Sequence, residues 1–145
     1  MKNKIQQAII YLVFAAGAAY GLWAFFKLLS VIFNLGENET AAATVAILLF
    51  GLAPLPASFL ALRWRKTASL IFAITATAVV IGVRSDAVYM AARNGTKLNA
   101  HLLTVDLIRY AGPLFLFAVF HLITDLLHWP KINKPTKLQE SKSAP

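Results

Sequence analysis

Residues 41–62 read AAATVAILLFGLAPLPASFLAL, with no charged side chain, and Arg63-Trp64-Arg65-Lys66 follows at once. A helix that crosses a bilayer needs ~20 mostly apolar residues. This run meets that length and then stops on a basic, aromatic step. Pro54 and Pro56 lie inside it. Each proline removes a backbone donor and disfavours the straight helix path, so a kink is expected there.

Three further runs of the same kind flank it. The first is Ile5 to Phe33, interrupted late by Lys27. Another is Thr67 to Val83, continuing as helix to Arg93 before Asn94-Gly95, a helix stop signal. The last is Leu102 to Trp129, ended by Pro130. The runs are too long for strands, and an open sheet cannot cross lipid because its edge groups stay unpaired. The expected fold is all-α, a polytopic bundle of four transmembrane helices at about 5–33, 41–62, 67–93 and 102–129. These form one domain over 1–131, with a disordered basic cytoplasmic tail at 132–145.

Composition agrees. Of the 145 residues, 59% are hydrophobic and only 14% are charged, against ~25% charged in ordinary soluble domains. Mean hydropathy is +0.65. A soluble domain this small cannot bury so much apolar surface. The net charge of +8 would suggest nucleic acid in a soluble protein. Here most basic residues sit at the ends of apolar runs, so they read as topology determinants with an attraction to anionic headgroups, and no nucleic-acid partner is expected. The chain has no cysteine, which excludes disulfides, thiolate metal sites and thiol redox chemistry.

Nine of the 14 basic residues fall on one side: Lys2, Lys4, Arg63, Arg65, Lys66, Lys131, Lys134, Lys137 and Lys142. The loop Leu35 to Thr40 has none and carries Glu37 and Glu39. The positive-inside bias therefore predicts both termini in the cytoplasm, in a bacterial-type inner membrane, with Trp64 and Trp129 at the cytoplasmic interface. Lys2, Lys4 and Ala16-Gly17-Ala18 resemble a cleavable signal peptide. The apolar run continues to Phe33, so it is read as a retained span.

The small residues of the first run (Gly17 and Gly21 in a small-xxx-small pair) and of the third (Ser69, Ala73, Ala76, Gly82) predict close helix approach. The first and third spans are expected to make the tightest contact.

The last run carries the most informative pattern. On a wheel of 3.6 residues per turn, Asp106, Arg109, Pro113, Phe117, His121, Thr124, Asp125 and His128 share about half the circumference. Ile108, Ala111, Phe115, Ala118, Leu122 and Leu126 take the other half, expected to face lipid. Ionisable groups at membrane depth cost several kcal/mol unless paired or hydrated. That makes Asp106, Arg109, His121, Thr124, Asp125 and His128 a candidate polar-face site. Asp106 with Arg109, and Asp125 with His121 or His128, have pairing distance along a helix. A second cluster, Lys27, Arg84, Asp86 and Arg93, gathers near the outer side. There Lys27 needs an anionic partner, with Asp86 and Asp106 as candidates.

Metal and haem readings fare poorly. Residues at i and i+7 are ~10 Å apart along a helix, too far for one ion, and all three histidines lie on the last run or just before it. No nucleophile elbow, phosphate-binding Gly loop or zinc-protease helix is present. No catalytic, cofactor-binding or metal residues are assigned, no cofactor is expected, and an enzyme is disfavoured. The leading expectation is an accessory or structural subunit of a larger inner-membrane assembly, with membrane lipids and a larger complex, or a second copy of itself, as partners. The alternative is a small homo-oligomeric transporter or channel using the polar face of the last helix. Further behind stands a lipid-handling or redox membrane enzyme.

Overall fold

The computed structural model describes residues 2–33 and 41–129, with side chains from residue 4 onward. The Glu37–Glu39 loop and the basic tail lie outside the described residues. All regular structure in the described residues is helical. The order is α1 (Lys2–Ile32), α2 (Ala41–Leu52), α3 (Pro54–Ala61), α4 (Arg65–Arg93), α5 (Ala100–Tyr110) and α6 (Gly112–Leu126).

α1 and α4 are each long and apolar enough to cross a membrane alone. The pairs α2–α3 and α5–α6 meet the same test only together, each bent by 41° at its break. The described residues thus hold two to four segments long and apolar enough to cross a membrane.

The first bend follows from Pro54 and Pro56. Neither ring nitrogen can donate, so the carbonyls of Phe50 and Leu52 lose their i+4 partners, while Ala53 N–H still donates to Leu49 O at 2.9 Å and Ala57 N–H to Ala53 O at 3.0 Å. The second bend corrects the expectation of one straight helix from 102 to 129. Pro113 strips the partner from Arg109 O, and Gly112 beside it stiffens the turn least. The bend is stabilised across the bundle, where the Tyr20 hydroxyl donates to Tyr110 O at 2.8 Å. Aromatic rings fill the same region. Trp23 stacks on Tyr110 (6.1 Å, 13°), and Phe50 meets Tyr110 edge-on at 5.6 Å.

α4 is the central helix, packed against α2, α3 and α6, while α1 rests on α2 and α3. The expected tight pairing of the first and third spans is therefore not found. The small residues do bring backbones together, but with other partners. A Cβ on Gly21 would come within 2.7 Å of the Leu55 backbone nitrogen, so α1 seats directly on α3. A Cβ on Gly82 would collide with the Ala46 side chain, so α4 seats on α2. Small-xxx-small spacing marks where a neighbour can approach and says nothing of which neighbour does.

The core is built from Phe72, Ala76 and Val79 of α4, Phe50 of α2, Ala57 of α3, Ala24 of α1, and Leu114 and Ala118 of α6, with Ala111 beside them. The wheel of the last run puts Ala111 and Ala118 on the lipid face, and the structure buries both. They are buried with Leu114 and His121, which lie on the same side of the helix, so the inward face is rotated toward the alanines relative to the polar stripe. Leu12 and Phe26 of α1, Leu70 and Ile81 of α4 and Leu116 and Ile123 of α6 remain exposed, an apolar exterior suited to lipid.

Candidate functional site

The two ends of the molecule hold the ionisable groups, and they are built differently. At the first, the start of α4 meets the end of α6. His128 lies beyond α6 with φ 53, the left-handed region in which helices commonly terminate. Its N–H donates to Asp125 O at 3.0 Å, and Trp129 N–H donates to Thr124 O at 3.1 Å. This pair of bonds is the Schellman closure, with histidine where glycine usually stands. His128 therefore leaves the helical face on which the sequence placed it.

Arg65 locks that closure. Its Nη1 donates to Trp129 O at 2.8 Å and lies 3.5 Å from Thr124 O, and the residue is only 2% exposed. A cation against the carbonyl end of a helix is favourable both as a hydrogen-bond donor and through the helix dipole. Sequence reasoning read Arg65 only as an interfacial charge. Nothing in the local pattern distinguishes it from Arg63 or Lys66, which are exposed.

The polar residues of α6 are engaged one by one. The Thr124 hydroxyl donates to His121 O at 3.1 Å. The His121 ring is buried, lying nearly parallel to Phe72 at 5.8 Å and edge-on to Phe120 at 5.6 Å. Asp125 does not pair with either histidine; Asp125 Oδ2 lies 3.7 Å from Lys66 Nζ on α4. One turn deeper, Ser69 Oγ donates to Ala118 O at 2.7 Å. Polar contacts between α4 and α6 thus run along the seam of the two helices. Beside this seam lies an open cleft of about 590 Å³ lined by Arg63, Trp64, Arg65, Lys66, Thr67, Asp125, His128 and Trp129.

The opposite end places the remaining residues. Asp106 and Arg109 form no ion pair; the Arg109 guanidinium sits 5.6 Å from the ring centre of Tyr110. Asp106 and Asp86 line a cleft of about 410 Å³ with Lys97 and Asn99. Lys27 and Asp86 share a narrower, mostly apolar groove of about 190 Å³ between α1, α2 and α4, without an ion pair between them. Arg84 and Arg93 are exposed. Of the outer cluster, only Lys27 and Asp86 line a common groove among the described residues. Among the described residues, no three His, Asp or Glu side chains come together in a way that would hold a metal ion.

The class these features define is an all-helical membrane protein whose ionisable groups collect at its two ends. Comparison of the chain with protein-family models, curated proteins and solved structures yields no match.

Proposed function

We propose that this chain is a four-span, multi-pass protein of a bacterial-type inner membrane, with both termini in the cytoplasm. We infer that it serves as an accessory or structural subunit of a larger membrane assembly. In this reading α1, α2–α3, α4 and α5–α6 each cross once. The orientation rests on the Lys/Arg bias, with Arg63, Arg65 and Lys66 at the cytoplasmic end of α4.

One observation carries the subunit reading. α4 has 29 residues, about 44 Å of helix against ~30 Å of hydrocarbon. Counted from Arg65, its last two turns project past the lipid core, and α5 returns beside them. No residue of α5 is buried. Val88, Met90, Leu98, Leu102 and Val105 are all exposed there, Leu102 at 59%. Apolar side chains clustered beyond the hydrocarbon call for protein cover. Across residues 84–110, Arg84, Arg93, Lys97 and Arg109 outnumber Asp86 and Asp106, so the partner should present an acidic rim.

The polar face of α6 gives less support to the transporter alternative. His121 and Thr124 are buried in contacts within one chain, and Phe72, Leu114 and Ala118 fill the space beside them.

Native mass spectrometry of the protein taken from its own membrane in mild detergent tests the proposal. The expected result is a heteromeric mass, lost in L102K/V105K although that variant still accumulates in the membrane. A homomeric mass that survives L102K/V105K would overturn it and favour the transporter reading.

A further inference from the structure

The cleft between the start of α4 and the end of α6 is not absorbed by the subunit reading, whose contacts lie at the other end. We propose that this cleft binds a phosphate ester presented at the membrane interface. The chemistry recognised is a phosphoryl anion with no compensating cation on the same molecule, carried by an anionic phospholipid headgroup or by a soluble phosphorylated molecule.

Charge, shape and position support this. Three cationic side chains, Arg63, Arg65 and Lys66, line the cleft with a single carboxylate, Asp125, and His128 completes its titratable groups. The local balance is positive even with His128 neutral. The volume of about 590 Å³ lies inside the ~300–1,000 Å³ range of small-ligand sites.

The side chains are also differently held. Arg65 is fixed against the α6 carbonyls and forms a rigid cationic wall. Arg63 lies over the Trp64 ring at 5.3 Å and is exposed. Lys66 is 77% exposed and reaches Asp125 only at 3.7 Å, so it can turn to an incoming anion at little cost. Trp64 and Trp129 line the same cleft, and amphipathic aromatics settle at headgroup level. Trp64 gives α4 no side-chain cap, so the positive end of the helix dipole adds to the field in the cleft.

Asp125 opposes an anion. Its removal should therefore strengthen binding, both by deleting a negative charge and by freeing Lys66.

The test uses the full-length protein in non-ionic detergent, offered phosphatidylglycerol and phosphatidylcholine together and examined by native mass spectrometry. Preferential retention of phosphatidylglycerol is expected. R63Q/K66Q should weaken that retention roughly twenty-five-fold, from about fivefold per basic side chain near an anionic headgroup. D125N should increase it, a gain that misfolding cannot produce. Inorganic phosphate, titrated against chloride at equal ionic strength with tryptophan emission as readout, separates the two sources. Displacement of the lipid by phosphate points to a soluble phosphate ester, and phosphatidylglycerol binding that phosphate leaves intact points to a lipid site. Equal retention of the two lipids with no phosphate-specific emission change would overturn the proposal. So would R63Q/K66Q with the preference of the parent protein, or weaker binding in D125N.

Discussion

His128 stands at φ 53, where the Cβ of an L residue crowds the following carbonyl at a cost of roughly 1–2 kcal/mol. Its side chain is exposed, so replacement sacrifices little packing. His128→Gly should raise stability by about 1 kcal/mol, read as a higher thermal midpoint in detergent; a lower midpoint would contradict the closure described for α6. Arg65 should behave oppositely. Arg65→Ala removes a charged donor from buried carbonyls and is expected to cost about 1.5–3 kcal/mol. Arg65→Lys should recover only part of this, because the ammonium keeps the charge but sits on a shorter stem and loses the planar guanidinium's reach to the α6 carbonyls. The Lys66–Asp125 pair, with Lys66 at 77% exposure, should be worth no more than about 1 kcal/mol. A larger loss in Lys66→Ala than in Arg65→Ala, by the same thermal measurement, would reverse this ranking. At this scale the sequence concealed the main actor. Arg63, Arg65 and Lys66 differ in role only through which one is buried against the carbonyl end of α6.

Helix ends and bends were unequally legible. Asn94-Gly95 stops α4 at Arg93, with Gly95 at φ 61, and that stop is written in a dipeptide that favours left-handed backbone. Pro54 and Pro56 announce the first bend. Pro113 announces the second just as loudly, yet its place on a regular polar wheel masked it. A wheel sorts residues by polarity, whereas burial follows the packing of neighbours, which is why the alanines Ala111 and Ala118 turn inward beside Leu114 and His121. The glycines separate packing from flexibility. Gly21→Val should lower the thermal midpoint by the equivalent of about 1–3 kcal/mol, because the Leu55 backbone cannot move aside. Gly112→Ala meets open space and should be neutral or slightly stabilising. Equal effects for the two would refute the α1–α3 contact.

For the whole molecule, the prediction concerns topology. The four-span reading places both termini with Arg63–Lys66. Reporter fusions at residue 1 and at residue 145 should both report the cytoplasm, and a fusion in the Asn94–Asn99 turn should report the opposite side. Termini on opposite sides would mean that one bent pair does not cross.

Hydropathy and charge, which depend on composition along the chain, suffice to derive an all-helical membrane protein and to locate its apolar segments. Lipid solvates any sufficiently apolar helix whatever its neighbours. Neighbour choice is different in kind. Whether Gly21 seats on α3, whether Arg65 caps α6, and whether Asp125 meets Lys66 or a histidine all depend on relative helix rotation. Rotation is set by the summed packing of Phe72, Leu114, Ala118 and the small residues around them, and only the tertiary structure decides it.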